Sequence, residues 1–301
     1  VPTLLNSREE LVALLQEKSP GFSDTFRKIA AFILSDYHQA CFMTAQELAD
    51  AVGVSQPSVT RFTTYLGFSG FPEFQRNLQQ VVRHEITGLD RLRAVVRETG
   101  EGVPYASLIQ EEIRNLERLA ETLASPVVSE VAAWLAQART VVIAGFRASA
   151  SLAVYTSFFL AKVHPDVQTL THGDSTALEA LLRLDPAETA VVVHAFPRYP
   201  TETQVFQRFA VQQGFKVALI TDTPMSPLTA DAQHVLIAPV AFGSLFDSYC
   251  APIALANVLV QEVAKRQPER TRLRLARFEE LAARHGVFIY NDPAWVRELP
   301  T

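Results

Sequence analysis

The sequence predicts two domains of different class, an all-α helix-turn-helix domain joined to an α/β domain built on a five-stranded parallel sheet flanked by helices. Three observations carry this. Residues 4–85 place apolar side chains at helical spacing, as in Leu4, Leu5, Leu11, Leu14 and Leu15, and again in Phe26, Ile29, Ala30, Ile33 and Leu34, with no convincing strand. Residues 140–239 change pattern. Five β-branched runs, at 140–144, 167–170, 190–194, 216–221 and 234–238, alternate with helical stretches. That alternation describes βαβ units, whose right-handed crossovers put helices on both faces of a parallel sheet. Between the two patterns, residues 87–104 collect Gly88, Gly100, Gly102 and Pro104 around a short Arg-bearing helical piece and read as a hinge-like linker.

The expected order is a helical domain over 1–86, a linker over 87–104, an α/β domain over 105–285 and a tail over 286–301. Residues 105–138 read as helix leading into the sheet, 246–266 as a long apolar helix and 269–285 as a second helix. The last carries Arg270, Arg272, Arg274, Arg277 and Arg284, a row read as a solvated or subunit-facing surface rather than a phosphate track.

With 301 residues and 48% hydrophobic residues, the chain can fill real cores. Cys41 and Cys250 match no metal or redox spacing and are expected as small buried residues of a reduced, cytoplasmic protein. No apolar run approaches the roughly 20 residues of a membrane helix, and no signal-peptide pattern opens the chain. No cofactor motif is present. The net charge of −5 offers nucleic acid no bulk attraction. Residues 1–87 hold seven Lys and Arg against nine Asp and Glu, a net −2. Any DNA binding must come from local placement of charge, as over 55–83, where Arg61, Arg76 and Arg83 face one Glu.

That placement centres on residues 44–66. Thr44-Ala45-Gln46-Glu47 has the spacing of a capping box. Leu48, Ala49 and Val52 make the buried stripe of a short helix, and Gly53 suits a sharp turn. Ser55 then caps a second helix with Pro57 in its first turn, and Val59, Phe62 and Leu66 form its apolar face. Gly67-Phe68 reads as its C-terminal cap. This is a helix-turn-helix layout, in which the second helix enters the major groove. Its outward side is expected to carry Ser55, Gln56, Ser58, Thr60, Arg61 and Thr64. Gln can pair with adenine, Arg with guanine or phosphate, and Ser or Thr with either. Spacing alone also allows an ordinary helical hairpin with a solvated polar face.

The run from Glu47 to Phe62, continuing through Leu66-Gly67-Phe68-Ser69-Gly70-Phe71-Pro72-Glu73-Phe74, closely resembles the RpiR (MurR/RpiR) family of bacterial transcriptional regulators. The resemblance is strongest over residues 20–80 and weaker in the sheet domain. It implies an N-terminal DNA-binding domain, a C-terminal SIS (sugar isomerase) domain with flavodoxin-like strand order, a double-stranded operator, a homo-oligomer (dimer or tetramer) and a nucleoid-associated place in the cytoplasm.

In such a sheet the strand order reverses between the first and third strands, and ligands bind beyond their carboxyl ends. The first loop there, Gly145-Phe146-Arg147-Ala148-Ser149-Ala150-Ser151, opens a helix and suits an anion. In SIS domains the matching serine-rich loop holds a sugar phosphate, which implies ligand contacts at Ser149 and Ser151. The second loop, Ala195-Phe196-Pro197-Arg198-Tyr199-Pro200-Thr201, departs from the Ser-x-Ser-Gly turn usual in that family. It removes two N–H donors at the prolines and adds a cation and a ring. Arg147 and Arg198 together favour a small anionic effector, a phosphosugar or a carboxylate. Tyr199, Thr201 and His172 are further expected contacts; Ser244 to Ser248 can also border the pocket. Singly, either arginine could instead pair at a subunit surface.

Two rival readings remain at this stage. A sugar-phosphate isomerase of SIS type needs a general base near a sugar carbon, with Glu202, His172 and His194 as candidates. His194 lies inside a strand and reads as a buried, satisfied side chain. Alternatively the protein binds DNA constitutively and its SIS domain only dimerises.

Overall fold

The computed structural model describes residue 5 and residues 7–82, 85, 87–98, 105–241 and 245–289. Arg83, residues 99–104 of the expected linker, Ser244 and residues 290–301 of the expected tail lie outside the described residues. The chain divides into two compact units, Val1–Glu112 with Ala241–Ser248, and Ile113–Val240 with Tyr249–Thr301. Of the expected linker the described residues 87–98 fall in the first unit, and the division lies within a helix.

The first unit is helical among the described residues. Helices α1 (Arg8–Lys18), α2 (Asp24–Ser35), α3 (Tyr37–Ala40), α4 (Ala45–Val52), α5 (Gln56–Tyr65) and α6 (Phe71–Val82) enclose one apolar core. Ile29, Ile33, Leu48, Phe62, Phe74 and Val82 lie at its centre, each recurring at helical spacing along its own element. Phe22, Phe26 and Phe62 meet edge to face with centroids 5.3–6.3 Å apart. Helix α7 (Gly88–Glu98) occupies most of the expected linker. Its Arg91 is buried in an ion pair with Asp247 at 2.7 Å, so this stretch is packed rather than a bare hinge.

Helix α8 (Tyr105–Leu123) continues the chain, and α9 (Pro126–Gln137) follows a break at Ser125. One helical stretch was expected here. Ser125 caps the second helix through Val127, and Pro126 occupies its first turn, so the chain restarts rather than continues.

Five strands follow, β1 (Thr140–Gly145), β2 (Val167–Leu170), β3 (Thr189–His194), β4 (Lys216–Thr221) and β5 (His234–Ile237). They pair in parallel in the order β2-β1-β3-β4-β5, the flavodoxin-like arrangement. The intervening helices are α10 (Ala150–Leu160), α11 (Ser175–Leu182) and α12 (Thr201–Gln212). Alternate residues of the central strands serve opposite cores. Val141, Ile143, Val192 and Ile220 face α9, α10 and the later helix α13 (Cys250–Arg266). Val142, Ala144, Val193 and Leu219 face α11 and α12. Burial on both faces explains why these strands read as continuous β-branched runs.

Helix α13 begins at Cys250, not at 246, and this corrects one expectation about the cysteines. Cys250 is exposed at the first turn, whereas Cys41 is buried, where loss of solvation pushes its thiol pKa up. Helix α14 (Pro268–His285) carries the arginine row. Arg272 pairs with Glu269, Arg284 with Glu280, and Arg274 donates to the Ala161 carbonyl at 2.7 Å. No helix among the described residues is long and apolar enough to cross a membrane.

Two buried histidines make stability depend on acid. Burial pushes the His194 imidazole from 6.5 down to about 3, and burial lowers His164 as well. The fold therefore takes up these protons less readily than the unfolded chain, which does so near pH 6.5. Their contribution is complete above that pH and is lost as pH falls toward the folded values. For His194 the expected slope reaches roughly 1.4 kcal/mol per pH unit. Urea unfolding between pH 7 and 5 measures it, and His194→Gln should make the dependence shallower.

Candidate functional site

The helix-turn-helix forms from local chemistry. Thr44 Oγ1 accepts from the Glu47 amide at 3.2 Å and Glu47 Oε2 from the Thr44 amide at 2.6 Å, completing the capping box. Gly53 takes φ 72°, a left-handed conformation that glycine adopts without strain and that ends α4 sharply. At the far end of α5, the Phe68 amide returns to the Thr63 carbonyl and the Gly67 amide to the Thr64 carbonyl, with Phe68 buried.

Along α5, Ser55, Gln56, Thr60, Arg61 and Thr64 are exposed. Ser58 is not. It is 9% exposed, its hydroxyl lies 2.8 Å from Ser55 Oγ, and Arg61 Nη2 donates to it at 3.0 Å. The expectation that Ser58 faces outward is therefore corrected, because one residue before Val59 the helix surface already turns into the core. Ser58 instead holds the Arg61 guanidinium. Ser55 stands at the N-cap position but spends its hydroxyl on Ser58 rather than on a backbone amide. Thr60 and Thr64 donate to the Gln56 and Thr60 carbonyls, which leaves their oxygens as acceptors.

In the second unit the reversal of strand order falls between β1 and β3, where Gly145 stands opposite His194. Gly145 is required by close approach, since a Cβ there would meet the Ser149 carbonyl oxygen at 2.4 Å. The chain folds back immediately through a 3-10 turn, Arg147–Ser149, into α10. Arg147 takes φ 52° and is exposed; Ser149 is buried at the N-cap position with no hydroxyl bond to the helix amides. Across the crevice, Pro200 stands at the N-cap position of α12 and has no side chain that can cap it. Two helix N-termini thus open at one sheet edge without side-chain caps, which favours an anion there. Arg198 and Thr201 are exposed at that edge, and neither Arg147 nor Arg198 has an ion-pair partner among the described residues.

The other expected contacts are more engaged. The Ser151 hydroxyl donates to the Ala148 carbonyl at 2.8 Å, and His172 Nδ1 lies 3.0 Å from Thr171 Oγ1. The Tyr199 hydroxyl donates to Asp222, a buried carboxylate beyond β4 that also accepts from Thr221. A Cβ on Gly173 would lie 2.6 Å from Glu202 Cβ and 3.0 Å from Phe146 Cδ2, so the loops after β1 and β2 and the start of α12 pack together. His194 is fully buried, with Nε2 3.1 Å from Thr156 Oγ1 and Nδ1 without a partner. The sequence reads it as satisfied; only one of its two nitrogens is. Among the described residues no cluster of His, Cys, Asp or Glu could hold a metal ion.

Residues 9–85 match the family model of the helix-turn-helix domain, rpiR family, and residues 134–261 that of the SIS domain. The chain joins a helix-turn-helix domain of the rpiR family to a SIS domain. Over 233 residues it is 24% identical to the uncharacterized HTH-type transcriptional regulator YfhH of Escherichia coli (strain K12), covering 74% of this chain and 79% of that one. Over 146 residues it is 29% identical to the HTH-type transcriptional regulator HexR of Pseudomonas aeruginosa, covering 48% and 50%. Among solved structures, the sugar isomerase domain of an RpiR transcription factor from Sphaerobacter thermophilus aligns at TM-score 0.55 and 26% identity, covering 58% of this chain and 97% of that one. The Vibrio vulnificus NanR protein complexed with ManNAc-6P shares the fold at TM-score 0.56 and 19% identity, covering 93% and 99%.

Three features of this RpiR-family chain escaped the sequence. The Tyr199–Asp222 bond and the packing of Gly173 against Glu202 join residues that only tertiary contact brings together, and the Ser58–Arg61 bond, between neighbours three apart on one helix, goes with the burial of Ser58. Only the glycine left a signal, as a small residue directly before the N-cap Asp174. Gly145→Ala should lower stability by about 1–3 kcal/mol, because its Cβ would meet backbone rather than a flexible side chain. A thermal melt checks this.

Proposed function

We propose that paired copies of this regulator present α5 to two half-sites of a double-stranded operator, and that a small anionic metabolite in the β1/β3 crevice controls the spacing. The observation that carries the reading is the exposed face of α5, where Gln56, Thr60 and Thr64 flank an Arg61 held in place by Ser58. A first unit short of positive charge favours two copies over one, since bulk attraction contributes little.

For the effector, the two uncapped helix starts, with Arg147 and Arg198 at the same edge, suit a phosphate or carboxylate. NanR, of the same fold, holds ManNAc-6P, which agrees with a phosphosugar. The effector acts only to the extent that it binds one arrangement of the recognition helices better than the other. We read the site as one of binding rather than turnover. His194 is sealed from solvent and neutral, and the Glu202 side chain packs beside Gly173.

Fluorescence anisotropy on DNA from the protein's own upstream region tests the operator role. Arg61→Ala should weaken specific binding roughly 5- to 150-fold, as for loss of about 1–3 kcal/mol at one base pair. Ser58→Ala should cost less, roughly 2- to 10-fold, since the guanidinium stays but loses its tether. Unchanged specific affinity in Arg61→Ala removes α5 from the role. Phosphosugars and carboxylates are then titrated into the complex. At least one should shift operator affinity of the parent protein and leave Arg147→Ala/Arg198→Ala unmoved; no shift with any of them leaves a constitutive DNA-binding protein.

A further inference from the structure

The turn between β3 and α12 is fastened at both ends. At one end Phe196 is buried, its ring tilted on Tyr249 with centroids 5.4 Å apart. At the other, the Tyr199 amide donates to the Phe196 carbonyl at 2.9 Å, and Tyr199 packs on the core that holds Phe146 and Phe206. The Tyr199 hydroxyl donates to Asp222. Tyr199 also takes φ 23°, in the left-handed region where a side chain is strained and persists only when its surroundings hold it. Between the fastened ends, Arg198 is exposed and forms no ion pair among the described residues.

Asp222 is the outer anchor of this turn. β3 and β4 pair with His194 beside Ile220, so Asp222 lies as far beyond that pairing as Phe196 does. It stands at the same sheet edge as the crevice. Asp222 is 5% exposed, and it accepts from Thr221 Oγ1 at 3.2 Å as well as from Tyr199. A carboxylate at that edge opposes an anion by its charge, so attraction is not what it contributes there. What it does contribute is an acceptor for the Tyr199 hydroxyl. A phenol has a single proton to donate, and Tyr199 gives it to Asp222. The lone pairs left on that oxygen repel an anion.

We propose that Asp222 is a positioning residue of the anion crevice. Through the Tyr199 hydroxyl it fixes the turn so that the Arg198 guanidinium meets an anion from an ordered backbone. Tyr199 then works behind Arg198 instead of touching the ligand. Ordering one side chain in advance is worth roughly 2- to 10-fold in affinity. The inference deepens the effector reading and rests on it for the presence of an anion.

Calorimetric titration of the full chain with inorganic phosphate, at constant ionic strength, tests the role. Arg198→Ala should weaken phosphate binding roughly 10- to 100-fold, as for a lost charge-assisted hydrogen bond. Tyr199→Phe and Asp222→Ala should each weaken it roughly 2- to 10-fold, and the double variant no more than either alone. Asp222→Asn keeps an oxygen for the Tyr199 hydroxyl and removes the charge, so it should bind at least as tightly as the parent. Adding Tyr199→Phe to Arg198→Ala should bring no further loss. Far-UV circular dichroism checks that each variant is folded.

Unchanged binding in Tyr199→Phe overturns the positioning role. So does tighter binding in Asp222→Ala, which makes the carboxylate only a repelling charge. A loss in Tyr199→Phe without one in Asp222→Ala overturns it as well, and makes Tyr199 a ligand contact. A further loss in the Arg198→Ala background shows that the pair does not act through Arg198. Each of these results leaves the anionic effector standing, because the parent protein still binds phosphate. A parent protein that binds no phosphate overturns Arg198 as an anion grip, and the effector reading is then decided by operator affinity alone.

Discussion

The parallel pairing of β1 with β3, which sets Gly145 opposite His194, is the constraint on which the proposed effector crevice depends. From that line the next strands depart in opposite directions, β2 to one side and β4 to the other. The helices that follow must then cover opposite faces, α10 with one core and α12 with the other. Their N-termini are left to diverge at a single edge, and the gap between them is the crevice. Gly145 lets the first of these turns close, because its missing Cβ is where the Ser149 carbonyl comes to lie. Phe146, fixed edge to face on Phe206 with centroids 5.4 Å apart, ties the turn to α12 below.

In the helical unit, control is local. The domain is net negative over its first 87 residues, so the field of the whole molecule does little for α5. What remains is the geometry of a few side chains. A buried hydroxyl at Ser58 holds a guanidinium that would otherwise sample many rotamers, and Ser55 completes the chain of hydrogen bonds. Such an arrangement reduces the ordering cost at the moment of contact rather than adding attraction at a distance. It also explains why an acidic chain can carry a DNA-reading helix.

Helix α10 stands where the two levels of organisation meet. Its inner side is part of the sheet's core, its first turn borders the crevice, and its outer side is apolar. His194 belongs to the same cluster, since its Nε2 meets Thr156 on the inner side of that helix.

By itself the sequence determined the class of each half, the five strands, the capping box, the turn at Gly53 and the position of the helix α5 that follows it. These are local: each follows from periodicity or from a few neighbouring residues, as with Thr44 and Glu47 or the alternating Val141, Val142 and Ile143. It misjudged where faces change. Ser58 sits one residue before Val59, and Cys250 opens α13 four residues later than the apolar run suggests. The pairing of Arg91 with Asp247 and of Tyr199 with Asp222 was decided by tertiary structure alone. A long polar side chain reaches several partners at similar cost, and only the packing of the surrounding backbone selects among them.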